Sequence, residues 1–417
     1  MGGFYMAGVA TGFRDTWREG WGEGGVVHAL RATLWLAVLI AWEALWAWAT
    51  VPAGLDAWWQ RREARAEYGG LRLNVRYGSE ERQVLDYYKP AGGVDGPDGE
   101  AAARPARLVV YVHGGAWGSG AKWHYAGLAR RLRRESGGAV GVAVVQYGLH
   151  RTRGDVATMT RDVDAAVTWA MHEAEANLGG AGVVLAGQSS GAHLCALSTV
   201  RRALALSQSK SAWPEGREQL DALVLVSGVF DCWEHYWHEH KRGVHLLSPM
   251  LPAMGGQVNP KVHPGQWARE LFMQPLVAHS PTRILLNGAQ QGDSLAHHLP
   301  KRVHLLHGDA DTTVPVAQSA DFCSALGYVG MGNVVRLDVL EGAGHAQLLL
   351  DVMANLGGSQ LNDRGKSRKS RSGPPASGPT QLGSDPASRG FLVGGDRKVH
   401  ARWVAAAMGG TPPPTAD

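Results

Sequence analysis

The chain has 417 residues, 45% of them hydrophobic, with a formal net charge of +4 and three cysteines. That length suits one large α/β unit with additions around a sizeable core. The mild charge argues against nucleic acid as a partner. Cys195, Cys232 and Cys323 are odd in number and far apart, so they match neither a disulfide framework nor a metal site and suggest a reducing compartment.

Residues 1–31 are Gly-rich with mixed charge and read as a flexible N-terminus, without the basic start and short apolar core of a cleavable signal peptide. Residues 32–51 form an almost uncharged run broken by Glu43, about the length that crosses a bilayer as a helix. Trp35, Trp42, Trp46, Trp48, Trp58 and Trp59 fit the aromatic enrichment of membrane interfaces. Glu43 sits awkwardly in such a helix, where an ionisable group costs at least about 2–3 kcal/mol. Three readings therefore stand side by side: a spanning helix, a helix lying in the interface, and a soluble packing helix.

One large domain is expected over 66–355. Alternating apolar and polar residues over 71–88, interrupted at 77–81, predict a β-hairpin; 90–107 reads as a loop. Residues 108–112 are continuously apolar, as in a strand buried on both faces. They open into His113-Gly114-Gly115-Ala116-Trp117. Two adjacent glycines there let the backbone approach a ligand closely and present bare N–H groups. Residues 128–134 predict a basic amphipathic helix and 140–145 another buried strand. Over 155–178, apolar residues fall at helical spacing.

The central stretch is the apolar run 183–186 followed by Gly187-Gln188-Ser189-Ser190-Gly191 and then by helix formers. This G-x-S-x-G pattern between strand and helix is a nucleophile elbow, a tight turn that lifts one serine out of the sheet. Its flanks need to be nearly free of side chains, and the following helix points its positive end at the serine. Residues 220–226 predict the next strand. Strands alternating with helices mean a mostly parallel sheet flanked by helices, the α/β class.

Residues 230–299 break that rhythm and are expected to form a lid inserted over the sheet edge. His235, His238, Glu239 and His240 invite a metal reading, but their spacing fits no zinc helix; a solvated polar face accounts for them, and no metal is expected. Trp233, Tyr236, Trp237, Met250 and Met254 suit either an apolar substrate groove or the core of the lid. Residues 303–306 predict a strand ending at His307-Gly308-Asp309-Ala310-Asp311, and 334–340 the last strand, followed by Glu341-Gly342-Ala343-Gly344-His345. Residues 356–417, rich in Gly, Ser, Pro and Arg, read as a disordered tail. Its basic run at 364–371 reads as solvating, with lipid contact or a localisation signal as the alternatives.

A serine hydroxyl needs an adjacent base, and the base an orienting acid. In the order that α/β-hydrolases use, nucleophile, acid and base fall at Ser189, Asp311 and His345, each after a predicted strand. Asp309 is the competing acid. The amides of Gly114, Gly115 or Ala116, with that of Ser190, are the expected oxyanion donors. Such chemistry needs no cofactor.

These motifs resemble the α/β-hydrolases related to hormone-sensitive lipase. The order of a hydrophobic N-terminal helix, Val75-Arg76-Tyr77-Gly78, Leu85-Asp86-Tyr87-Tyr88-Lys89-Pro90, the His113 loop, the elbow and the segment His235 to Gly243 is similar to the plant prenylcysteine methylesterases over residues 32–353. The resemblance implies an α/β-hydrolase fold and a serine esterase acting on the carboxyl methyl ester of C-terminal prenylated cysteine at the endoplasmic reticulum or Golgi membrane. It assigns Ser189, Asp311 and His345 to catalysis, and Gly114, Gly115, Ala116, Gln188 and Ser190 to substrate contact. One departure bears on substrate orientation: those relatives carry Asp-Tyr-Arg where this chain reads Gln146-Tyr147-Gly148. The alternatives are a general carboxylesterase, an arylformamidase-type amidase, or an inactive hydrolase fold serving as a membrane-tethered binding module.

Overall fold

The computed structural model describes residues 70–349, apart from 91–106, 151–153, 209–218, 246–247, 257–273 and 293, together with Arg62 and residues 391–393. Nine strands form one sheet: β1 (Leu71–Arg76), β2 (Val84–Tyr88), β3 (Arg107–Val112), β4 (Val140–Gln146), β5 (Gly182–Gln188), β6 (Ala222–Val226), β7 (Val303–Gly308), β8 (Val335–Leu340) and β9 (Phe391–Val393). Their spatial order is β1-β2-β4-β3-β5-β6-β7-β8-β9. The expected hairpin is present, β1 against β2 antiparallel, and β2 also runs antiparallel to β4. Every later neighbour pair is parallel.

Side chains alternate across a strand, and the central strands show why their sequences are apolar without a break. Leu108, Val110 and Val112 of β3 pack into a core on one face of the sheet, Val109 and Tyr111 into a second core on the other. Strand β5 divides likewise, Val183 and Leu185 to one side, Val184 and Ala186 to the other. Helix α1 (Ala126–Glu135) lies on the second face through Leu128, Ala129 and Leu132. Helices α2 (Val156–Asn177) and α3 (Ser190–Gln208) pack on the first. The start of α2 is capped by Asp155, which accepts from the Thr158 amide at 2.7 Å, satisfying one of the donors a helix start leaves open.

Between β6 and β7, where a lid was expected at 230–299, the chain forms α4 (Cys232–Lys241), α5 (Met250–Ala253), α6 (Gln274–Ala278) and α7 (Pro281–Gln290). One expectation changes here, and one alternative is favoured. The His-rich face of α4 is not wholly solvated: Cys232, His235 and Tyr236 are buried, because residues three and four apart share one face of a helix. Tyr236, Met250 and Met254 belong to the hydrophobic core, with Trp233 and Trp237 packed against it. Helix α8 (Ala317–Leu326) joins β7 to β8.

The sheet does not stop at 334–340 as the sequence pattern implies. Strand β9 pairs parallel to β8, Leu337 opposite Phe391; three apolar residues inside a Gly/Ser/Pro-rich stretch are too few for any periodicity to reveal. No helix among the described residues is long and apolar enough to cross a membrane, and the helix expected over 32–51 lies outside those residues.

Candidate active site

In this strand order the sequence of crossovers reverses beside β3, and ligands of open α/β sheets bind at the carboxyl ends of the strands near such a point. The His113 loop leaves the end of β3, and Ser189 follows its neighbour β5. Ser189 has φ of +54°, a conformation that non-glycine residues adopt rarely and hold only when surroundings enforce it. Its amide donates to the Val226 carbonyl at 2.9 Å, and its own carbonyl accepts from the His193 amide at 3.0 Å. The flanking glycines are required by space. A Cβ on Gly187 would lie 2.6 Å from the Gly191 carbonyl oxygen, and one on Gly191 would lie 2.2 Å from that of Val112.

The three residues expected to cooperate are brought together. Ser189 Oγ donates to His345 Nε2 at 3.0 Å, and His345 Nδ1 donates to Asp311 Oδ2 at 2.7 Å. The other oxygen of Asp311, Oδ1, accepts from the amides of Thr313 and Val314, both at 2.9 Å. Asp309, the rival acid, is exposed and turns instead to the Gly342 amide at 2.6 Å. It therefore braces the loop that carries His345 and does not orient the imidazole.

Burial opposes a charge on Asp311, but hydrogen bonds from His307 and His345, the positive potential of His345 and the Val314 amide outweigh it and hold the carboxyl well below its ordinary value. His307 went unassigned in the sequence reading. It is fully buried, its Nε2 3.3 Å from Asp311 Oδ2 and 2.9 Å from the Val314 carbonyl, with Nδ1 accepting from Ser319 Oγ at 2.7 Å. Its place four residues before Asp311, at a strand end, was the available signal.

Of the predicted oxyanion residues, Gly114 lies against Ser189. A Cβ on Gly114 would stand 3.1 Å from Ser189 Cβ and 2.4 Å from Gln188 Oε1, so the loop backbone and the Gln188 side chain are in contact. Ser190 opens α3, where the first N–H groups of a helix have no intrahelical acceptor. Gly115 is half-buried and Ala116 exposed, while Ala116 and Trp117 have φ of +49° and +58°. The loop is buttressed on two sides. The His113 ring stacks on Tyr147 with centroids 4.5 Å apart, and burial pushes its basicity down to about 4. The Trp117 indole donates to His193 Nδ1, joining the glycine loop to the elbow; both residues stood in the motifs, but neither carried a role.

Among the described residues no group of three or more His, Cys, Asp or Glu side chains is arranged to hold a metal ion. His235 Nε2 and Glu239 Oε1 are 3.6 Å apart on successive turns of α4, whereas His238 Nε2 faces the Thr312 carbonyl at 3.3 Å and His240 faces His245 at 3.4 Å. His235 and Glu239 face one another, and His238 and His240 turn to other partners.

A G-x-S-x-G serine hydrogen-bonded to a histidine and a buried aspartate, on a sheet of this order, defines an α/β-hydrolase. Comparison with known proteins gives the chain's likenesses. A BD-FAE family model matches residues 97–263. The chain is 28% identical over 279 residues to a probable isoprenylcysteine alpha-carbonyl methylesterase, ICMEL1 of Oryza sativa subsp. japonica, covering 66% of this chain and 57% of that one. It is 27% identical over 295 residues to isoprenylcysteine alpha-carbonyl methylesterase ICME of Arabidopsis thaliana (70% and 60% covered). With esterase LipC of Mycobacterium tuberculosis it shares 26% over 284 residues (67% and 60%). The chain thus spans just over half the length of the curated relatives it matches. Among solved structures it is similar to esterase B of Lactobacillus rhamnosis, with TM-score 0.49 and 17% identity over 76% of this chain and 90% of the other.

Proposed function

We propose that this protein is a serine esterase that hydrolyses the carboxyl methyl ester of a C-terminal prenylated cysteine. The observation that carries the esterase reading is the Ser189–His345–Asp311 hydrogen-bonded chain standing beside the Gly114 loop. Ser189 Oγ attacks the ester carbonyl as His345 Nε2 takes its proton. Asp311, kept ionised by its hydrogen bonds, stabilises the imidazolium and keeps Nδ1 protonated. Amides of the Gly114–Ala116 loop and of Ser190 hold the oxyanion, one such donor being worth about 3–4 kcal/mol. Methanol leaves with the proton from His345, and water, deprotonated by the same imidazole, cleaves the acyl-enzyme.

The choice of ester rests on likeness to proteins named isoprenylcysteine alpha-carbonyl methylesterase. An inserted lid over residues 230–299, with a membrane-associated helix at 32–51 at the endoplasmic reticulum or Golgi, suits a substrate whose prenyl tail partitions into the bilayer. Enzyme and substrate confined to one surface meet at raised effective concentration.

The test compares wild type with Ser189→Ala on a prenylcysteine methyl ester and on short p-nitrophenyl esters, with fluorophosphonate labelling in parallel. Release of methanol by wild type alone, and label on Ser189, are expected. Turnover of the short esters without the prenylcysteine ester would move the assignment to a general carboxylesterase. No label and no turnover would leave a hydrolase-fold binding module.

A further inference from the structure

Arg82, in the turn between β1 and β2, reaches over the loop that follows β4. Its Nε donates to Asp162 Oδ2 at 3.2 Å, and neighbouring Gln83 donates from Nε2 to Asp162 Oδ1 at 2.7 Å. Asp162 projects from α2 and is 1% exposed. Its third partner is the Gly148 amide, which donates to Oδ2 at 2.8 Å. A Cβ on Gly148 would fall 2.8 Å from Arg82 Nε and 3.3 Å from Asp162 Oδ2. The guanidinium therefore fills the volume that a side chain at 148 would take.

The same loop supports the glycine loop from behind. Tyr147 donates its hydroxyl to the His113 carbonyl at 2.9 Å, and the His150 amide donates to the Trp117 carbonyl at 2.8 Å. Gln146 Oε1 accepts from the Lys122 amide at 3.2 Å, and its carbonyl accepts from the Tyr77 hydroxyl at 2.6 Å. Ala116 and Trp117 keep positive φ values, which persist only where neighbours over-determine the backbone. The stretch after β4 supplies part of that support, at the His113 and Trp117 carbonyls, and Asp162 fixes it at Gly148.

We propose that Arg82 and Asp162 are a positioning pair that sets the oxyanion loop, the β1–β2 turn supplying here the cation for which Gly148 leaves room. The kinetic part of this inference rests on the esterase reading; the structural part does not. A buried carboxylate that loses its cation is strongly disfavoured, so Asp162 would no longer pin Gly148, and the loop donors would drift from the oxyanion position.

The experiment uses the full chain as wild type, Arg82→Ala, Arg82→Lys and the double variant Arg82→Ala/Gly148→Arg. Arg82→Lys keeps the charge should Arg82→Ala not fold. Two quantities are read: kcat and KM on p-nitrophenyl acetate, and amide hydrogen exchange over residues 113–121. For Arg82→Ala, kcat is expected to fall roughly ten- to hundred-fold with KM little changed, as for a small misplacement of catalytic groups, while exchange over 113–121 accelerates. The double variant is expected to regain both, since an arginine at 148 starts within reach of Asp162. Arg82→Ala that lowers Tm but leaves kcat and exchange over 113–121 as in wild type overturns the proposal. So does a double variant no better than the single one. A wild type inert toward esters that still shows the exchange pattern removes the esterase reading and supports the coupling.

Discussion

The indole N–H of Trp117 donates to Nδ1 of His193 across 3.1 Å, so the loop after β3 is tied to α3, the helix that follows Ser189. The bond requires His193 Nδ1 to be unprotonated, with Nε2 donating to the His279 carbonyl at 2.8 Å. Burial enforces this, pushing His193 down to about 3, against the raising effect of that carbonyl. His193→Phe would leave a buried indole N–H unpaired, costing about 1–3 kcal/mol and loosening the oxyanion loop. The expected result is a lower Tm and a fall in kcat larger than any change in KM, measured by thermal melts and steady-state kinetics. Equal kinetics in the variant would show that the link serves stability alone.

Asp311 and Asp309 are distinguished by their partners. Asp311→Asn replaces the acceptor of the His345 N–H and favours the wrong tautomer; a loss of kcat on the order of 10⁴ is expected, as such triads show. Asp309→Asn keeps an oxygen for the Gly342 amide and should cost about ten-fold or less. Single-turnover rates on an activated ester decide between them.

Glu239 gives stability a pH dependence of its own. Burial pushes its carboxyl up to about 8, against the lowering effects of the Ser248 hydroxyl and Arg242. The folded state thus holds a proton that the unfolded chain gives up at its ordinary value of 4.5. Stability must fall as pH rises between these values, a penalty on the order of a few kcal/mol at most. Glu239→Gln should remove it, raising Tm at pH 8 while leaving Tm at pH 4 close to wild type. A series of melts across that range checks the sign.

Asp311 acts in the opposite sense. Burial raises its carboxyl, but hydrogen bonds from His307 and His345 more than reverse this and hold it below its ordinary 3.8. Its contribution to stability is complete above that value and fades as pH falls below it. In Asp311→Asn, the loss of stability on acidification below pH 4 should be shallower than in wild type, as followed by circular dichroism.

Gly191→Ala tests the packing of the elbow. The added methyl would meet the carbonyl oxygens of Val112 and His113 at 2.2 and 2.5 Å. Both are backbone atoms at the end of a central strand and cannot turn aside as a side chain would. Overpacking of this kind costs about 1–3 kcal/mol or more, and Ser189 would be displaced with the turn. Fluorophosphonate labelling should be abolished even in the fraction that folds.

Much of this architecture was legible in the chain because the physics that writes it is local or periodic. A strand covered on both faces must be apolar where it is covered, and β6 is so throughout, as are β3, β4 and β5 apart from Arg107, Gln146 and Gln188 at their ends. A tight strand-to-helix turn excludes side chains at 187 and 191, and the glycines mark it. Helix α4 was harder: His235 falls at inward spacing with Cys232 and Tyr236, yet beside His238, Glu239 and His240 it reads as part of a solvated face. Strand β9 was illegible, since three residues carry no period.

Order along the chain by itself determined the class of fold and the candidates for nucleophile, base and glycine loop, because each must follow a core strand and each has a residue type that geometry demands. It favoured Asp311 as the acid but kept Asp309, a second carboxylate in the same loop, as its competitor. Only the folded chain could separate them, through the partners each side chain meets: the imidazole of His345 for one, the Gly342 amide for the other. The cation facing Asp162 was decided the same way, Arg82 arriving from 80 positions away. Contacts between residues distant in sequence depend on the packing of whole elements, and no local pattern records them.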